Sequence, residues 1–208
     1  MLNLRTLGSL NLSTSDGQEI TPVLSQPKRL ALLVYLAVAK PGEMARRDTF
    51  LSLFWPERDD AHARNALSQS LSFLRKNLPE PVLIGRGTEE IGLAPGLLRV
   101  DTVDFQGAIR GERWSDALGL YGGDFLHGFH VAEAWGFGEW VEEEREKWRE
   151  MAAGAAWALA YEQLGKKALV EAERSAQRAL SLVWSDETPV RRFVQSMAQA
   201  GDRAAALR

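Results

Sequence analysis

The stretch ARNALSQSLSFLRKNL, residues 63–78, carries two helical faces of different chemistry. At about 100° per residue, Ala63, Leu67, Ser70, Leu71, Leu74 and Leu78 gather on one side. Asn65, Gln69, Ser72 and Lys76 centre on the opposite side, flanked by Arg64, Ser68 and Arg75. The first set makes a core stripe. The second matches nucleic acid, since carboxamides and hydroxyls complement base edges while Arg and Lys complement phosphates. The plainer alternative for such a face is a solvated helix surface, and the surrounding segments must decide between the two.

Other residues could do different chemistry. DFLHGFH brings Asp124, His127 and His130 together with Glu133 nearby, and zinc takes three or four ligands of these types at about 2 Å. GRGTEEIG lacks the glycine spacing, and the following helix, of a dinucleotide fingerprint. With no cysteine in the chain, disulfides, thiol nucleophiles and thiolate metal sites are excluded. The Ser and His residues show no nucleophile–base pattern. The expectation is a protein that is not an enzyme and holds no cofactor or metal.

The elements that must position these residues follow from composition and pattern. At 208 residues, 45% hydrophobic and 25% charged, the chain has the make-up of an ordinary globular protein, long enough for two small domains. Its start, MLNLRTLGSLNLS, alternates polar residues with leucine, as a strand does and a signal peptide does not. The apolar run from Leu30 to Ala39 is about half a bilayer span, so a cytoplasmic protein is expected. Residues 1–100 carry a net +2 and residues 101–208 a net −5. That contrast suits a nucleic-acid-facing front and a partner-facing back, with any nucleic-acid binding resting on a local patch.

Along the chain, two short strands broken near Gly8 and a turn at Ser15–Gly17 predict a small antiparallel sheet. Pro27 fits a first helical turn, with Ser25 or Gln26 as cap and Leu30, Leu33, Val34 and Ala37 as the buried repeat. PGEMARR extends the chain, RDTFLSLFW forms a second helix stopped by Pro56, and Asp59 or Asp60 caps the third. VLIGRGTEEIGL predicts a β-hairpin with Arg86 near its tip. From RVDTVDFQGAI onward the pattern becomes continuous helix. One helix carries Trp140, Val141, Glu144, Trp148, Met151, Ala155 and Leu159 on a stripe, permits a kink near Gly154 and ends with Gly165 at C′. The run of acids around Glu143 reads as a solvated face, with Glu143 and Lys147 spaced as an i,i+4 pair. The next helix is seamed by Ala168, Ala172, Ala176, Ala179 and Leu180, and another starts with Thr188 as cap and Pro189 in first position. Paired helices with Ala160, Ala172 and Ala179 at small-residue positions are similar to tetratricopeptide units, although Trp184 stands where the closing Pro is usual. AGDRAAALR reads as a turn and an unfinished helix, so a longer parent protein is expected.

The order of these segments, with LFWPERDDAHARNALSQSLSFLRKNL, VDTVDF, LYGGDFLHGF, EWVEEER and AGDRAAALR, closely resembles bacterial transcriptional activator domain proteins of the SARP type. The resemblance spans essentially the whole chain. It is most specific at Trp55, Ala63, Arg64, Leu67, Leu74 and Arg75, and at Trp140 and Arg145. It implies a mainly α fold with a small β component: an OmpR-type winged helix-turn-helix over 1–98 and an all-α, tetratricopeptide-like activator domain over 99–208, truncated at its C-terminus. It implies a sequence-specific transcriptional activator whose partners are double-stranded DNA, RNA polymerase and a second copy on repeated half-sites. Base reading then falls to Arg64, Asn65, Ser68, Gln69 and Ser72 in the major groove. Phosphate or wing contacts fall to Arg46, Arg47, Arg75, Lys76 and Arg86. Asp59 and Asp60 start the reading helix, where they suit capping and its dipole, or mark a surface facing RNA polymerase or the neighbouring helix. DFLHGFH becomes a Gly-rich loop whose Phe125, Leu126 and Phe129 are apolar anchors. The alternative is a protein-interaction scaffold with a degenerate winged helix that no longer binds DNA.

Overall fold

The computed structural model describes residues 1–183 and 187–199, so Trp184 and AGDRAAALR lie outside the described residues. The fold is mainly α with a small β component: nine helices and two three-stranded sheets among the described residues. Two compact units divide the chain. One holds Met1–Asp104 with Phe125–Glu144, and the other holds Phe105–Asp124 with the described residues from Arg145 onward.

In the first unit, β1 (Leu2–Arg5) and β2 (Asn11–Thr14) pair antiparallel with Leu4 opposite Leu12, which turns both leucines into the core. The expected sheet is not purely antiparallel. β6 (Leu98–Val100) joins β1 in parallel, giving the order β2-β1-β6. Local alternation announces a strand and its hairpin partner but not one from far along the chain. α5 (Asp101–Arg110) begins where β6 ends. The Asp101 carboxylate accepts the backbone N–H of Thr6 at 2.7 Å and of Leu7 at 2.8 Å, the Thr6 hydroxyl at 2.7 Å and the Thr102 N–H at 2.9 Å. One side chain thus fastens the end of β1 to the start of α5.

After a short α1 (Thr21–Leu24), α2 (Pro27–Val38) starts with its proline in the first turn, and every residue from Leu30 to Val38 is buried. Neither expected cap acts there. Gln26 occupies the cap position without a side-chain bond, and the Ser25 hydroxyl donates to the Pro22 carbonyl at 3.1 Å. β3 (Met44–Arg46) leads into α3 (Arg47–Phe54), then α4 (Asp60–Asn77), and the hairpin of β4 (Leu83–Arg86) and β5 (Glu90–Leu93) follows. The second sheet runs β3-β5-β4, with buried Ile91 opposite Ala45 on one side and Gly85 on the other.

The helix expected to run on from residue 101 is interrupted. α5 and α6 (Trp114–Leu120) precede an irregular segment over 121–134, and only then does α7 (Trp135–Gly165) begin. Within that segment Gly123 and Leu126 take positive φ, of 155° and 49°, and Phe125 bridges back to Leu7. Apolar anchors that bind the chain to other elements prevail here over helical periodicity. Phe125 lies 5.7 Å from Trp140, which meets Tyr35 of α2 at 4.9 Å, and Phe137 stacks on Phe54 at 5.0 Å. Edge-on and offset ring pairs of this kind add about 0.5–1.5 kcal/mol each beyond burial.

In the second unit, Trp148 of α7 packs edge-on to Phe105 at 6.0 Å. Ala160 of α7 packs with Ala172 and Ala176 of α8 (Leu169–Leu182) and with Phe193 and Met197 of α9 (Glu187–Gln199). Ala155, Ala156 and Ala179 form a second cluster with Leu118. α9 is already helical at Glu187, so Pro189 falls inside its first turn rather than opening it, where a missing N–H leaves no bond unmade. The left-handed residue after α7 is Lys167, with φ 60°, and not Gly165. The Ala168 N–H bonds to the Gln163 carbonyl and the Lys167 N–H to that of Leu164, the pairing of a Schellman stop. No helix among the described residues is long and apolar enough to cross a membrane.

Candidate nucleic-acid interface

α4 is capped by Asp59, whose carboxylate accepts the His62 N–H at 3.1 Å and the His62 ring nitrogen at 2.6 Å. The His62 backbone N–H, first, and its ring, second, hold that carboxyl below its ordinary range. The helix then separates its faces as the period dictates. Ala63, Leu67, Ser70, Leu71, Leu74 and Leu78 are all buried. Arg64, Asn65, Ser68, Gln69, Ser72, Arg75 and Lys76 are all exposed. Ser70, the one polar member of the stripe, donates to the Ala66 carbonyl at 2.8 Å and so enters the core without an orphaned hydroxyl.

Within the described residues, the side chains of Asn65, Ser68, Gln69 and Ser72 make no hydrogen bond and Arg75 and Lys76 no ion pair. Other candidates are engaged. The Arg64 Nη2 lies 2.8 Å from Asp48 of α3 and 3.4 Å from Asp60, and the neighbouring acids, Asp48 foremost, hold its guanidinium even more firmly protonated than usual. Arg46, exposed at the end of β3, lies 3.9 Å from the same Asp48. Arg47 opens α3 half-buried, with its Nε buried and unbonded. Arg86, exposed at the end of β4, faces Glu90 across the hairpin at 3.4 Å. Five of the candidates, Arg64 to Ser72, therefore share one helix surface with Arg75 and Lys76 at its far end, while Arg46 and Arg47 stand at the start of α3 and Arg86 on the hairpin.

Two residues beside this face carry no signal in the local sequence pattern. Asp48 is one; its partner Arg64 lies on a different helix, and no spacing rule links them. Arg29 is the other: its guanidinium carbon lies 4.0 Å from the centre of the Phe73 ring on α4.

The Asp124, His127 and His130 set is not assembled as a metal site, and no group of three or more candidate ligands is found among the described residues. Asp124 is held by the Arg149 fork at 3.1 and 2.8 Å and by the Tyr121 hydroxyl at 3.3 Å. Burial, first, and the adjacent Asp124, second, push the Tyr121 hydroxyl up to about 12. No family model matches the chain, and no curated protein matches it.

Proposed function

We propose that the chain is a sequence-specific DNA-binding transcriptional activator, with α4 as the reading helix of a winged helix-turn-helix and the C-terminal helices as a tetratricopeptide-like domain that contacts RNA polymerase. The observation that carries this reading is the outer face of α4, where Asn65, Ser68, Gln69 and Ser72 are exposed side by side without a bond inside the fold. Carboxamides four residues apart project about 6 Å apart along a helix, a separation suited to neighbouring base steps. The order α2, α3, α4 and the β4–β5 hairpin supports the winged-helix reading, and the buried Ala160, Ala172 and Ala179 support the tetratricopeptide-like one. A second copy on a repeated half-site is part of the same proposal.

The second reading, a protein-binding scaffold without DNA affinity, is favoured by the pairing of Arg64 with Asp48 and Asp60 and of Arg86 with Glu90, which lowers the positive charge of the face. Selection from random duplexes, followed by mobility shift at about 50 and about 200 mM salt, separates the two. An activator enriches a site and loses affinity with salt at a log–log slope of roughly −0.9 per phosphate neutralised. Binding that is absent at low salt, or indifferent to salt, selects the scaffold.

A further inference from the structure

The cations around α4 differ in what neutralises them. Arg46, Arg64 and Arg86 each lie within 4 Å of a carboxylate, at 3.9, 2.8 and 3.4 Å. Arg29, Arg75 and Lys76 have no such partner among the described residues. Arg29 nevertheless has a fixed place. Its guanidinium covers the half-buried Phe73 ring at 4.0 Å, and Phe73 stands one turn beyond Gln69, on the border between the exposed face and the core stripe.

A guanidinium held over a ring by cation–π attraction has a fixed place without a carboxylate partner, and the N–H donors of the Arg29 guanidinium make no hydrogen bond among the described residues. Phe73 and Arg29 flank the exposed face of α4 on one side, and on the helical wheel Arg75 lies on the other. A helix seated in a major groove about 12 Å wide meets a phosphate strand at each edge. Two un-neutralised arginines on opposite flanks fit that arrangement, and the one on Phe73 is held ready before binding, which reduces the entropy lost on contact.

We propose that Arg29 is a phosphate anchor for double-stranded DNA, positioned beside the reading face of α4 by the Phe73 ring. This rests on the reading of α4 given above. The test uses the full chain, a pool of random-sequence duplexes and mobility shift across a salt series, with thermal melts of each variant. Arg29→Gln removes the charge while keeping a flat polar group that can lie on the ring. It is expected to weaken binding to every sequence about tenfold and to make the salt slope shallower by about 0.9, with the melt retained. Arg29→Lys keeps the charge and is expected to hold the wild-type slope. A wild-type slope in Arg29→Gln, with the parent still binding in a salt-dependent way, overturns the anchor and leaves the reading of α4 standing. Failure of the parent to bind any duplex at low salt overturns both.

Discussion

On α8, Arg178 donates to the carbonyl oxygens of Leu118 at 2.7 Å and Tyr121 at 3.3 Å, and the Ser175 hydroxyl donates to the Gln163 carboxamide at 2.7 Å, whereas the outward carboxamides of α4 bond to nothing within the described residues. Both helices are amphipathic and both expose long polar side chains. The difference lies in what the fold does with them. α8 uses its polar groups to satisfy carbonyls at the end of α6 and a carboxamide on α7, which is a structural task. α4 leaves Asn65 and Gln69 with their full hydrogen-bonding capacity directed outward. Residue type alone would not separate the two helices; the bonds already made inside the fold do.

If that distinction holds, removing an engaged polar group should cost stability, and removing a free one should cost none. The largest effect is expected at Asp101, which also belongs to the engaged kind. Asp101→Ala strips the partner from the N–H groups of Thr6 and Leu7, and both residues are buried. At about 1–3 kcal/mol for each donor left without a bond, the loss should reach about 4 kcal/mol in urea denaturation. A loss under about 1 kcal/mol would mean that the four short bonds at Asp101 contribute little net stability.

At the free end, Asn65→Ala and Gln69→Ala should change the melt by no more than about 0.5 kcal/mol. On a selected duplex each should cost about 1–3 kcal/mol and relax preference at one or two adjacent positions. Lys76→Ala, by contrast, should weaken all duplexes alike and make the salt slope shallower by about 0.9. Unchanged site preference in both carboxamide variants would break the comparison, because the free groups would then serve no reading role.

Arg178→Met tests the engaged side on α8 itself. Methionine keeps much of the apolar stem and removes both bonds to the carbonyls of Leu118 and Tyr121. A stability loss of about 1.5 kcal/mol is expected, with no change in any DNA measurement. A DNA effect without a stability loss would reverse the roles assigned to the two helices.

Much of this contrast is legible in the sequence, and the remainder is lost for an identifiable reason. The 3.6-residue period alone places Ala63, Leu67 and Leu74 inside and Asn65 and Gln69 outside, because a helix face is a local property. The same holds for the hairpin around residues 87–89 and for the choice of two acids as cap, which the structure resolves to Asp59. What the pattern misses depends on partners far apart in the chain. The parallel pairing of β6 with β1, the hold of Asp101 on Thr6 and the pairing of Asp48 with Arg64 each join separate elements. The interruption over 121–134 belongs to the same class, since Phe125 and Trp140 take their positions from each other and from Leu7 and Tyr35. On α4, sequence therefore identifies the exposed face, while the pairing of Arg64 with Asp48 needs the fold.

Helix ends give the smallest and sharpest test, because there the local rule and the structure part. Glycine was expected at the left-handed stop of α7, yet Gly165 is helical and Lys167 takes φ 60°. α5 ends the same way: Glu112 takes φ 53°, its N–H bonds to Ile109 at 3.0 Å, and the Arg113 N–H bonds to Ala108 at 2.9 Å. In both cases a glycine falls one or two residues early, inside the last turn or at its edge, and a charged side chain bears the left-handed strain. A non-glycine residue in that region costs about 1–2 kcal/mol, and glycine relieves it while losing about 0.5–1 kcal/mol of chain entropy. Lys167→Gly and Glu112→Gly should therefore each stabilise the fold by about 0.5 kcal/mol. Being far apart in sequence and sharing no bond among those described, they should add to about 1 kcal/mol in the double variant. Neither residue belongs to α4, so DNA affinity and salt slope should stay at the parent value while the melt rises. Destabilisation by both glycines would show that the lysine and glutamate side chains make compensating contacts, placing these helix ends with the engaged polar groups of α8.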